Sequence, residues 1–133
     1  MARILIIDDD PDIVLAARLC LKDAGHDVYS AESGEKGLSM LPEISPDLII
    51  LDVMMDTTTE GFQVALKLRS PDPGSPLAAY SRIPILMLTA LHSTTELRFG
   101  PDKDYLPVDA FVDKPIDPVG LVKKVDALLA NRH

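Results

Sequence analysis

The sequence predicts an α/β fold, a parallel sheet of five strands sandwiched between helices. Two observations carry this. Short apolar runs alternate along the 133 residues with stretches whose apolar residues recur at helical spacing. The first run, Ile4 to Ile7, is apolar throughout rather than alternating, the pattern of a strand buried on both faces. Five strand–helix units in succession, with no internal repeat, imply right-handed crossovers between parallel strands.

Each element has its own signal. After Ile4–Ile7, Asp10 and Pro11 read as an N-cap followed by proline at the first helical position. The helix runs to about Ala24, with Ile13, Ala17, Cys20, Leu21 and Ala24 on one side. Gly25 supplies its C-terminal stop. Val28 to Ala31 is a second, weaker strand. Ser33 caps a short helix predicted through Leu41 and halted by Pro42. "PDLIIL", Pro46 to Leu51, is the third strand and runs into Asp52. A helix from about Gly61 to Arg69 follows. The stretch from Ser70 to Arg82 is rich in proline and reads as a long loop. "IPILML", Ile83 to Leu88, is the fourth strand and ends at Thr89. Ser93 to Glu96 is a capping-box pattern, but Gly100 and Pro101 end that helix early. "DAFV", Asp109 to Val112, is the fifth strand. Asp117 and Pro118 repeat the cap-plus-proline start, and Leu121, Val125, Leu128 and Leu129 form one stripe on the last helix.

Composition bounds the class. The chain is 47% hydrophobic and 26% charged, with no low-complexity tract, and its length suits one domain over residues 1–133. Tryptophan is absent and aromatics are few, so aliphatic side chains must fill the core. Thirteen basic against 21 acidic residues give a net charge of -8. Such a chain is a poor direct binder of nucleic acid, whose phosphates call for Lys and Arg. It suits a cation or a basic protein partner. Cys20 is the sole cysteine, excludes an intrachain disulfide, and reads as a small buried hydrophobe. Ile4–Ile7 is too short for the apolar core of a signal peptide, and no stretch approaches the length of a membrane span. The expected location is the cytoplasm.

In open α/β sheets the ligand site lies at the carboxyl ends of the strands. There the first strand presents Asp8 and Asp9, the third Asp52, the fourth Thr89, and the fifth leads to Lys114. Three neighbouring carboxylates repel one another unless a cation sits among them. An all-oxygen acidic pocket with room for water and phosphate suits Mg²⁺. A hydroxyl and an ammonium opposite the metal are what a phosphoryl group in transfer requires. The residues therefore point to a Mg²⁺-dependent phosphoryl-transfer site with an aspartate nucleophile. Asp10 reads as the helix cap alone, and His26, His92 and His133 as surface residues outside any motif.

With "ILIIDDDPDI", "PDLIILDVMM", "ILMLTA" and "FVDKP" in order and spacing, the chain resembles a receiver domain of the bacterial two-component response regulators. The resemblance covers nearly all of it. It implies a flavodoxin-like (βα)5 three-layer sandwich with strand order 2-1-3-4-5. It implies that Asp52 is the phosphoacceptor, that Asp9 binds Mg²⁺ directly and Asp8 through water, and that the backbone carbonyl of Met54 is a further ligand. Lys114 would pair with a phosphoryl oxygen. Thr89 would hydrogen-bond the phosphate as a switch, and Phe111 would turn inward behind it, although Phe111 also reads as a plain core aromatic. The implied partners are a sensor histidine kinase or phosphotransfer protein and a downstream protein. Neither nucleic acid nor membrane is implied as a direct partner. With no output domain expected, the reading is a single-domain response regulator. It is not an enzyme beyond catalysing its own phosphorylation and dephosphorylation. A phosphorelay intermediate and a phosphorylation-independent pseudo-receiver are the alternatives.

Three departures from the family pattern stand out. Asp56 replaces a proline usual after the phosphoacceptor, the Ser70–Arg82 loop is long, and the fourth helix is short. Met54 and Leu91, both apolar, stand where the family can influence the approach of water, which predicts slow self-dephosphorylation. A haloacid-dehalogenase-type phosphatase uses a similar set of residues. It needs a second aspartate two positions after the nucleophile, where this chain has Met54.

Overall fold

The computed structural model describes residues 2–52, 67–68, 80, 82–89, 110–113 and 117–131. Five strands, β1 (Arg3–Ile7), β2 (Asp27–Ala31), β3 (Leu48–Asp52), β4 (Ile85–Thr89) and β5 (Ala110–Asp113), form one sheet. All pairings are parallel, as the strand–helix alternation predicted, and the order is β2-β1-β3-β4-β5, as the family resemblance implied. The described helices are α1 (Pro11–Asp23), α2 (Gly34–Ile44) and α3 (Pro118–Asn131).

The central strands are buried on both faces because each face packs on helices. Leu5, Ile7, Ile49, Leu51, Ile85 and Met87 point one way and meet Leu41 and Ile44 of α2, together with Leu68. Ile4, Ile6, Leu48, Ile50, Leu86 and Leu88 point the other way and meet α1 and α3 through Ala17, Leu21, Leu121 and Val125. The period-two alternation of side chains splits each apolar run between two cores. Each fully buried Leu or Ile contributes about 1.5–3 kcal/mol.

The helix ends follow their local chemistry. Asp10 Oδ1 accepts the Asp12 N–H at 2.9 Å, as the cap reading required. Gly25 adopts φ +95, Gly25 N–H donates to the Lys22 carbonyl, and His26 N–H donates to the Leu21 carbonyl. These are the two bonds of a Schellman motif. Ser33 Oγ accepts the Lys36 N–H at 3.1 Å. The N–H of Leu121 donates to the Asp117 carbonyl at 2.8 Å, opening α3.

Three expectations need correction. Pro42 does not halt α2, which continues to Ile44. Ile44 is buried, and Arg3 Nη1 donates to its carbonyl at 3.1 Å, so packing and a side-chain donor hold the extra turn. The helix stops instead at Ser45, in left-handed conformation with φ 48. Ala24 is the exposed C-cap rather than part of the apolar side of α1. His26 is not a free surface residue, because its ring is held by contacts to Ala2 and Asp126. Of the helix expected over 61–69, Lys67 and Leu68 are described, and both are helical. The capping box at Ser93–Glu96 and most of the Ser70–Arg82 loop lie outside the described residues.

Candidate functional site

The site is built by strand register. Ile7 of β1 pairs with Leu51 of β3, so the next residues, Asp8 and Asp52, emerge side by side at the carboxyl end of the sheet. Asp52 pairs with Leu88 of β4, which puts Thr89 one position further along the neighbouring strand. Thr89 in turn pairs with Asp113, the last residue of β5. Four strands thus deliver their ends to one edge because their registers agree.

Asp8 is 2% exposed and Asp52 4%, while Asp9 is exposed. One carboxylate oxygen from each lies within 4.8 Å of the others. Asp8 is placed by the backbone on both sides. Its N–H donates to the Ala31 carbonyl at 3.1 Å, and its Oδ1 accepts the Asp10 N–H at 2.9 Å. That second bond ties the acid edge to the start of α1. The three adjacent aspartates therefore divide their work, with Asp8 and Asp9 in the acid cluster and Asp10 on the helix cap.

The donor set fits a hard divalent cation. All three groups are carboxylate oxygens, the ligands Mg²⁺ prefers. Two oxygens bound to one Mg²⁺ at about 2.1 Å lie about 3–4 Å apart. A cluster within 4.8 Å is close to that spacing.

A groove of about 510 Å³ opens beside Asp8 and Asp9, between α1 and the end of β2. Pro11, Val14 and Leu15 form its apolar wall, and Arg18, Ser30 and Glu32 its polar side. Arg18 Nη2 donates to Ser30 Oγ at 2.8 Å across it. Leu15 and Leu19, one helical turn apart on α1, are 55% and 62% exposed. The sequence reading missed this surface, although the Leu15 and Leu19 spacing was visible as a second apolar stripe opposite the core side of α1.

Of the predicted site residues, Asp8, Asp9 and Asp52 come together as expected. Thr89 and Phe111 fall on β4 and β5 as their strand assignments required. Met54 and Lys114 lie outside the described residues, as do Asp56 and Leu91. No described helix is long and apolar enough to cross a membrane.

Comparison with known proteins agrees with this geometry. The family model for the response regulator receiver domain matches residues 4–126. The DNA-binding dual master transcriptional regulator RpaA of Synechocystis is 39% identical over 129 residues, 97% of this chain and 49% of that protein. The transcriptional regulatory protein AfsQ1 of Streptomyces coelicolor is 36% identical over 97% of this chain and 52% of its own length. The chain thus spans about half the length of these curated relatives. Protein PilH of Pseudomonas aeruginosa is 32% identical over 98% of this chain and 99% of its own. The structure of the chemotaxis response regulator CheY4 of Vibrio cholerae superposes with a TM-score of 0.76 at 29% identity, covering 96% of this chain and 98% of that one. With the fold, the register and the acid cluster in agreement, the chain belongs to the response regulator receiver domain family.

Proposed function

We propose that this receiver accepts a phosphoryl group on Asp52 in a Mg²⁺-dependent reaction. The donor is a histidine kinase or a phosphotransfer protein, and the phosphorylated form signals through a protein partner. The observation that supports this most is the gathering of Asp8, Asp9 and Asp52 within 4.8 Å at the ends of adjacent strands. A buried carboxylate beside two others has no purpose in packing, and it is well placed as a nucleophile.

Each residue has a role in this reading. Asp8, Asp9 and Asp52, with the backbone carbonyl of Met54, would hold the ion. When bound, Mg²⁺ neutralises the carboxylates and the oxygens of the incoming phosphoryl group. Asp52 supplies the attacking oxygen. The Asp10 N–H keeps Asp8 aimed at the cluster, so little reorganisation is needed. Lys114 would pair with a phosphoryl oxygen, Thr89 would hydrogen-bond another, and Phe111 would turn inward behind Thr89. This is a local charge change that biases a two-state element. The groove along α1, with Leu15 and Leu19 beside it, offers a protein donor an apolar surface next to Asp9.

On this account the chain acts as a signalling receiver, and it catalyses only its own phosphorylation and dephosphorylation. The test is incubation with acetyl phosphate and Mg²⁺, followed by intact-mass spectrometry. One added phosphoryl group is expected, and it should be lost when a chelator is present throughout. A chelator-independent adduct would overturn the role of the cation.

A further inference from the structure

At the opposite end of the sheet from the acid cluster, three chain segments meet on one imidazole. His26 lies just before β2, and Ala2 just before β1. The Ala2 N–H donates to His26 Nδ1 at 3.3 Å. His26 Nε2 lies 3.2 Å from Asp126 Oδ1, in the second half of α3. The His26 side chain is 11% exposed and that of Asp126 59%, so the ring is inside and the carboxylate forms the rim.

These contacts decide where the ring carries its proton. A backbone N–H can only donate, so Nδ1 must present its lone pair to Ala2. The ring proton then sits on Nε2, facing Asp126. The tautomer with hydrogen on Nδ1 would set two hydrogens against each other at Ala2, and so would the imidazolium. Only the neutral Nε2–H ring satisfies both neighbours. Backbone bonds reinforce the junction, since His26 N–H donates to Leu21 O at 3.1 Å and Asp27 N–H donates to Ala2 O at 2.9 Å.

We propose that His26 is a tautomer-specific interlock that pins the second half of α3 to the start of β1. Sheet packing alone leaves α3 held by Leu121, Val125 and the partly buried residues near them. The imidazole adds a directional link between the two ends of the chain. Because it lies away from Asp8 and Asp52, the interlock is independent of the phosphoryl-transfer reading and stands or falls separately.

Side-chain ¹⁵N–¹H correlation spectra of the wild-type protein at neutral pH test it directly. His26 should show a protonated Nε2 and an unprotonated Nδ1. Hydrogen exchange then tests the link. His26→Phe keeps the ring's bulk and removes both nitrogens, and it should speed exchange of the α3 amides about tenfold relative to those of β1 and β3. Asp126→Asn keeps an acceptor for a neutral N–H and should change α3 exchange less than twofold. A spectrum with hydrogen on Nδ1, or with both nitrogens protonated, would overturn the proposal. So would an Asp126→Asn variant as labile as His26→Phe, since that outcome requires charge pairing. If His26→Phe fails to fold, the wild-type spectrum still decides.

Discussion

Asp8 and Asp52 are immediate neighbours across the sheet, each the residue after a paired position, Ile7 and Leu51, in adjacent parallel strands. Both are buried, and both are acidic. A register slip of one residue would turn these strands over and separate the pair. The fold therefore holds two like-charged groups together at its ligand edge, and the consequences can be measured.

The first consequence concerns metal and stability. A cation that binds the folded cluster and not the unfolded chain stabilises by mass action, about 1.4 kcal/mol at ten times its Kd. For a domain of this size that raises Tm by roughly 3–5 °C. Wild-type protein is expected to show this rise when titrated with Mg²⁺ in a thermal melt. Asp8→Asn keeps an oxygen for the Asp10 N–H but removes one like charge. It should melt higher than wild type without metal, by about 1 kcal/mol, and lose most of the Mg²⁺ response. An equal Mg²⁺ response in the variant would show that Asp8 is outside the site.

Gly37 governs how closely α2 approaches β1. A Cβ at this position would lie 2.5 Å from Ile7 Cδ1 and 2.7 Å from Cγ1. Alanine improves helix propensity by about 1 kcal/mol, but crowding a packed core costs about 1–3 kcal/mol. Gly37→Ala should therefore be net destabilising in denaturant titration. Because Ile7 immediately precedes Asp8, the variant should also bind Mg²⁺ more weakly, by a few-fold. A variant as stable as wild type would mean that Ile7 has room to move.

Cys20 should be a slow thiol. Burial pushes its pKa up from 9.0, against the lowering effect of backbone N–H groups. Sγ donates to the Ala17 carbonyl at 3.3 Å, which also favours the protonated form. A raised pKa leaves less thiolate at any given pH, and the thiolate is the reactive species. Alkylation at neutral pH should run several-fold slower than for free cysteine and accelerate only above the ordinary cysteine range. Full labelling at the free-thiol rate would contradict the burial argument.

The phosphorylated protein should be long-lived. Met54 and Leu91 are apolar and cannot orient an attacking water. Following the acyl phosphate after removal of the donor, with Mg²⁺ present, should give a half-life of many minutes or longer. Decay within seconds would exclude this explanation.

Much of this could be read from the residues alone. Ile4–Ile7, Pro46–Leu51 and Ile83–Leu88 announced buried strands, and Asp8, Asp9 and Asp52, each at or just past the end of such a run, announced the acid cluster at the sheet edge. Local rules also placed Asp10, Gly25 and Ser33, whose effects act within a few residues. The rest depended on distant contacts. Pro42 breaks a helix by local rules, yet buried Ile44 and the Arg3 guanidinium, 41 residues away, hold the last turn. His26 carries no motif, and its partner Asp126 is 100 residues further along. The groove beside α1 needed the juxtaposition of Arg18 and Ser30, which no helical periodicity encodes.

The most direct test of the central claim compares wild type with Asp52→Asn after exposure to acetyl phosphate and Mg²⁺, with peptide mapping by mass spectrometry. The account predicts a single phosphoryl group on the peptide containing Asp52, and no adduct on the variant. An undiminished adduct on Asp52→Asn would contradict it.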